Sequence, residues 1–210
     1  MTRTHQASLR DVAASLQQGR PVIFPTDTLF GLGVSVLHAK SPQALYDIKQ
    51  RESRKPIAWL VGDVADLDAY GSAVSSAAHA LARTFWPGPL TLIVQASAEV
   101  PAAFRSDAGT IGLRMPAHDG ALDLIRAVGC PLATTSANLS GHTNAASLES
   151  IDSEVLAQVA AVLPGNCGAS TLASTVVDCT GGSLVIVREG ALTQADIQAA
   201  VPNASVEVRS

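Results

Sequence analysis

The chain has 210 residues, 47% of them apolar and only 15% charged, which is enough to bury one sizeable core and excludes wholesale disorder. A net charge of −4 and an aromatic content of 4% exclude a broad basic field for a duplex and a base-stacking platform, so any polyanion must be met by a local cluster. Cys130, Cys167 and Cys179 lack CxxC spacing and the histidines are scattered singly, so neither a disulfide framework nor a structural metal is expected.

The first predicted element is a helix over residues 7–18, with Leu9, Val12, Ala13 and Leu16 on one face and Gly19 as its stop. Residues 21–24 read as a buried strand that empties into Thr26, Asp27 and Thr28, and Gly31 and Gly33 read as a tight turn or a close backbone approach. Ser41-Pro42 opens a helix through Ile48, which delivers Lys49, Arg51, Arg54 and Lys55 near its C-terminal end before Pro56. Strands are expected at 57–61, 90–94, 110–115 and 131–135, and helices at 75–86, 119–128 and 148–160. Residues 174–178 and 184–187 pair as a hairpin across Gly181-Gly182, and a helix at 194–200 and a strand at 205–209 follow. Mixed elements without strict βαβ alternation point to an α/β (α+β) domain with a mixed sheet. The polar N-terminus and the lack of an apolar run near ~20 residues point to a cytoplasmic protein without a membrane span.

Four constellations can carry chemistry. Lys49 to Lys55 concentrates four basic residues, which reads equally as a triphosphate clamp or as a solvated helix end complementing the dipole. Ser136 to Gly141 follows a strand; its amides and hydroxyls suit an anion, and it reads also as a simple Ser or Asx turn. Thr110 and Arg114 share one strand face, so Arg114 is either a carboxylate receptor in a pocket or an edge cation. Ser174-Thr175 and Arg188 lie on adjacent strands and are explained as well by surface pairing. Neither GxxxxGK[ST] nor a complete GxGxxG is present, so a nucleotide site here would use neither loop.

Taken in order, PTDTLFGL at 25–32, Lys49-x-Arg51 with Lys55-Pro56, WPGPLT at 86–91, GLRMP at 112–116, TSANLSG at 135–141, STVVD at 174–178 and REG at 188–190 resemble the YrdC-like family of L-threonylcarbamoyladenylate synthases. The resemblance implies a twisted open mixed sheet flanked by helices around a large concave pocket, with residues 1–210 as one YrdC-like domain of the short form. It implies a nucleotidyltransferase that makes threonylcarbamoyl-AMP and pyrophosphate from L-threonine, bicarbonate or CO2 and ATP, with Mg2+, for tRNA modification. Thr26, Arg114 and Ser174 would then hold threonine, with Arg114 on its carboxylate. Lys49 and Arg51 would face the phosphates as the catalytic cations, and Thr110, Ser136, Asn138 and Arg188 would line the nucleotide side. Apart from the resemblance, the Gly and Ser content of residues 164–173 suits a mobile loop that could serve as a lid. Threonylcarbamoyl-transfer proteins acting on tRNA would take the product, and the other reading is a nucleotide- or RNA-binding protein of the same fold without threonine-dependent activity. The chain departs from its relatives at Glu52, where they usually carry proline, and at Asn144-Ala145-Ala146, where they carry a hydroxyl-Pro-Thr segment.

Overall fold

The computed structural model describes residues 7–50, 57–168 and 172–209. Among them eleven strands form one mixed sheet. In spatial order these are β11 (Val206–Val208), β10 (Leu184–Arg188), β9 (Thr175–Asp178), β5 (Leu90–Ala96), β6 (Thr110–Arg114), β3 (Ala58–Leu60), β7 (Leu132–Ser136), β2 (Gly31–Ser35), β1 (Val22–Phe24) and β8 (Ala161–Val162). The short β4 (Gly71–Ser72) pairs with the far end of β5. The β1–β8, β3–β6, β5–β9 and β10–β11 pairs are parallel and the other pairs antiparallel. The fold is the mixed α/β arrangement expected.

Helices cover the two faces unequally. On one side α1 (Leu9–Gln17) and α5 (Asp119–Val128) pack together and bury Val12, Leu16, Leu124 and Ile125 against Val22, Phe24, Leu60 and Leu132. Both helices are amphipathic and locally specified, α1 by the Ser8 cap on the Asp11 amide and α5 by a left-handed Gly129 at its C-cap. On the opposite side α4 (Ser76–Phe85) and α7 (Gln194–Ala200) seal a larger core containing Leu81, Leu92, Leu113, Val177 and Ile197. Trp59 lies in that core with edge-on contacts to Tyr70 at 5.3 Å and Phe104 at 5.7 Å.

Strand alternation sorts the sheet chemically. Leu90, Leu92, Ile111, Leu113 and Val177 point into the larger core, whereas Thr91, Ile93, Thr110, Gly112, Arg114 and Val176 line a cavity on the other face. The α1–α5 layer covers the sheet around Phe24 and Leu60, and the cavity opens over the neighbouring strands beyond it.

Three expectations are corrected. Gly31 and Gly33 are not in a turn but in the buried strand β2, while the other half of that reading, a close backbone approach, stays open because Gly31 lines the cavity. A Cβ at Gly33 would lie 2.9 Å from the Phe24 ring and 3.1 Å from Thr134 Oγ1, so the glycines make room for a ring lying across the sheet. The single helix expected at 148–160 is a 3-10 turn at Leu148–Ser150 and a short helix α6 (Ser153–Leu156), after which the chain joins β1 as β8. The helix α2 (Gln43–Ile48) ends before the basic cluster; Gln50 adopts φ 49° and Arg51 to Pro56 lie outside the described residues. A further helix, α3 (Asp66–Tyr70), was not expected. No helix among the described residues is long and apolar enough to cross a membrane.

Candidate active site

The cavity has a volume of about 310 Å³. Its floor is Ala58, Leu60, Ile93, Gly112 and Val176, and its walls carry Thr26, Thr28, Thr91, Thr110, Arg114, Thr134, Thr135, Ser136, Asn144, Ser174 and Arg188. Among the described residues no Asp, Glu, His, Cys or Lys belongs to this lining, and the ionic groups in it are the guanidiniums of Arg114 and Arg188.

Arg114 is 7% exposed and held on three sides. Its Nη2 donates to Asp27 Oδ1 at 2.6 Å, its Nη1 to Thr28 Oγ1 at 3.1 Å and its Nε to the Gly88 carbonyl at 3.0 Å. The Thr28 and Asp27 partners are fixed in turn by Thr26, whose hydroxyl donates to the Leu29 carbonyl at 2.7 Å and accepts from the Thr28 and Leu29 amides. Thus the hydroxyl turn after β1 and the Trp86-Pro87-Gly88 segment both shape one guanidinium. Burial pushes the Arg114 pKa down, and the Asp27 carboxylate pulls it part of the way back.

Arg188 reaches the same cavity through an irregularity in β10, where the pairing with β9 shifts between Ile186 and Arg188. Its Nε and Nη2 donate to the Ser174 carbonyl at 3.1 and 2.8 Å, and Nη2 also to Ser174 Oγ at 3.1 Å. The Ser174 hydroxyl contacts Thr91 Oγ1 at 3.0 Å. Partial burial and then the field of Arg114 lower the Arg188 pKa, as expected for two cations facing one space. Among the described residues Arg188 has no carboxylate within ion-pair distance. The cavity is therefore a place for anionic groups.

Thr26, Arg114, Ser174, Thr110, Ser136 and Arg188 are all brought together here. Two other candidates are placed differently. Lys49 does not line the cavity; it is 4% exposed, and its ammonium donates to the Ser136 and Asn138 carbonyls, each at 2.6 Å, and to Asn138 Oδ1 at 3.0 Å. Asn138 also faces inward, its Nδ2 donating to the Leu139 and His142 carbonyls at 3.1 and 2.7 Å. The expected anion nest of backbone amides is not formed. The amides of Ala137, Asn138, Leu139, Ser140 and His142 are each engaged within the protein, so the turn offers the Ser136 side chain to the cavity. Arg51 and Glu52 lie outside the described residues, as do residues 169–171 of the expected lid.

Thr91 and Thr135, which belong to the motifs quoted above, and Thr134 line the cavity without having been named as site residues. The signal for Thr91 was available: it alternates with Leu90 and Leu92 on a strand whose apolar half is buried. Asn144 lines the cavity too, although it belongs to the departing segment, whose Ala145 carbonyl accepts from the Phe30 amide at 3.0 Å.

A profile of the Sua5/YciO/YrdC family, described as telomere recombination, matches residues 14–190. The chain belongs to this family. It is 31% identical to a threonylcarbamoyl-AMP synthase of Pyrococcus abyssi over 93% of its length, and spans 58% of that relative. It is 33% identical to a threonylcarbamoyl-AMP synthase of Vibrio vulnificus over 88% of its length, covering 99% of that protein. The structure superposes on Pyrococcus abyssi Sua5 complexed with L-threonine with a TM-score of 0.86 at 30% identity, over 94% of this chain and 58% of the other. The solved relative thus shares the fold with this chain.

Proposed function

We propose that the protein is a cytoplasmic L-threonylcarbamoyladenylate synthase, a nucleotidyltransferase acting as a single domain on L-threonine, bicarbonate or CO2 and ATP. The observation that carries this reading is the pair of guanidiniums, Arg114 and Arg188, facing one hydroxyl-lined cavity in a member of this family. Relatives named threonylcarbamoyl-AMP synthase and a neighbour described as holding L-threonine support the substrate assignment.

The residues have definite tasks in this reaction. Arg114 receives the threonine carboxylate with the N–H groups that its three protein bonds leave over, and Thr26 and Ser174 shape that end. The threonine nitrogen, as free amine, forms an N–C bond to CO2 and releases a proton, giving a carbamate. A carbamate oxygen then bonds to the α-phosphorus of ATP as the bond to the bridging β-phosphate oxygen breaks, and pyrophosphate leaves. Little covalent work falls to the protein, so rate comes from positioning and from charge stabilisation in a water-poor cavity. Arg188, Thr110 and Ser136 serve the nucleotide side. Lys49 and Asn138 serve it indirectly by setting the turn that presents Ser136, and Arg51 is assigned to the phosphates by its motif alone.

A resident metal does not fit the described residues. The lining holds no carboxylate, imidazole or thiolate, and no group of three such ligands occurs among the described residues. Mg2+ is therefore read as arriving on the triphosphate, as part of the substrate. The mixed-anhydride product hydrolyses readily, so a threonylcarbamoyl transfer to tRNA must consume it promptly.

The test is pyrophosphate release from MgATP and bicarbonate, with L-threonine, with L-serine and with neither. Threonine-dependent release that Arg114→Ala lowers by about 100-fold or more is expected, the loss of a charge-assisted bidentate contact. ATP binding without any threonine-dependent release would overturn the reading and leave a nucleotide- or RNA-binding protein.

A further inference from the structure

Ser136 ends β7, where it pairs with Gly31, and the turn that follows it to His142 is pinned from two directions. From inside, Lys49 contributes its ammonium to Ser136 and Asn138, and its carbonyl accepts from the Ser140 amide at 3.1 Å. From outside comes Asp152. This residue sits at the N-cap position of α6, where an Asp ordinarily caps its own helix, and its side chain makes no capping bond. Its Oδ2 instead accepts from the Leu139 amide at 2.9 Å, and its Oδ1 lies 3.2 Å from His142 Nδ1. A carboxylate that forgoes its own helix end to hold another segment is performing a task for that segment. The Leu139 amide, above all, and His142 keep the Asp152 carboxyl below its ordinary pKa, and the field of Lys49 across the turn adds to this.

We propose that Asp152 is a positioning residue for the nucleotide side of the cavity, acting through Leu139 and the turn to fix the side chain of Ser136. Asp152 is absent from the cavity lining, so its effect is transmitted entirely through the backbone it holds. The inference rests on the reading of the Ser136 wall as the nucleotide side. Its charge and its acceptor geometry are separable, because Asn keeps an oxygen for the Leu139 amide and Ala keeps none.

The experiment compares Asp152→Ala and Asp152→Asn in the pyrophosphate assay, with backbone hydrogen exchange of residues 136–142 measured on the same samples. Asp152→Ala is expected to raise KM for ATP by about tenfold, the ratio that corresponds to losing one hydrogen bond to a charged acceptor, while KM for threonine changes less than about twofold. Asp152→Asn is expected to recover most of that loss. Exchange of the Leu139 amide accelerates in the Ala variant while α1 and α5 stay protected. Equal losses for both substrates, or an unchanged KM for ATP with unchanged Leu139 exchange, would overturn the proposal. If the wild-type protein shows no threonine-dependent turnover, the functional reading fails, and the brace is then decided by the Leu139 exchange alone.

Discussion

Asp27→Ala is the sharpest probe of how the cavity is built. It removes the carboxylate 2.6 Å from Arg114 Nη2, in a pair whose side chains are 8% and 11% exposed. Breaking a buried pair from one side costs about 3–5 kcal/mol, because the remaining charge stays desolvated without its partner. Arg114 keeps Thr28 Oγ1 and the Gly88 carbonyl, so the lower end, about 3 kcal/mol, is expected. For a chain of this size that corresponds to a fall of roughly 6–12 °C in Tm. Urea unfolding at pH 7 in 0.1 M and 1 M NaCl measures it, with Asp27→Leu/Arg114→Met as the double variant. Replacing both partners by apolar groups removes the stranded charge, so the double variant should lose less than either single one. A cost below about 1 kcal/mol, or one that vanishes in 1 M salt, would show a screened, solvent-accessible pair and refute the buried-clamp geometry.

Two further outcomes follow from the packing. Gly33→Ala places a methyl group 2.9 Å from the Phe24 ring with Thr134 close behind, so thermal unfolding should show a loss of about 1–3 kcal/mol; no loss would mean the ring is free to withdraw. Burial pushes the Cys179 thiol up to about 12 from an ordinary 9.0. The folded state then holds a proton that the unfolded chain releases, so stability is complete below about pH 9 and declines towards pH 12, by at most ~1.4 kcal/mol per pH unit. Cys179→Val should flatten that alkaline limb in urea unfolding measured from pH 8 to 11, and an unchanged slope would contradict the assignment. Tyr70, also raised by burial, contributes to the residual slope.

Much of the fold was legible because its signals are local. Ser8 and Ser75 cap α1 and α4, the apolar spacing of 119–128 gives α5 with its bounds, and Gly181-Gly182 joins β9 to β10. What escaped depends on partners distant in the chain. The two glycines of β2 look like turn residues until Phe24 is laid across them. The sequence 148–160 has a helical pattern, but Asp152 is drawn to Leu139 and the following residues to β1. Lys49 sits in a basic run that reads as a clamp, while the acceptors that bury it are 87 and 89 residues away. Thr110 with Arg114 was readable from strand period alone, and Thr91 would have been by the same rule. Which of the basic residues face the cavity was not readable, because it turns on a helix end at Ile48 and on the irregularity in β10.

The distribution of charge bears on how this cavity would take two different anions in the proposed reaction. Arg114 carries five N–H groups, three of them bonded within the protein, and its position is set by neighbours from two separate segments. A ligand carboxylate must share it with Asp27, which favours a small, rigidly oriented acid over a diffuse polyanion. Arg188 is tied only to the oxygens of Ser174 among the described residues and stands at the open edge. It can turn towards a phosphate without stranding a buried carboxylate. In the proposed reaction the fixed cation deep in the cavity and the adaptable one at its edge would divide the work, one selecting the amino acid and the other admitting the nucleotide. Because Arg114 also lowers the Arg188 pKa through its field, an anion bound at either cation relieves repulsion at the other. In the proposed reaction both ligands are anionic, so a threonine carboxylate bound at Arg114 should lessen the pull of Arg188 on the triphosphate, and Mg2+ carried on ATP should offset part of that loss.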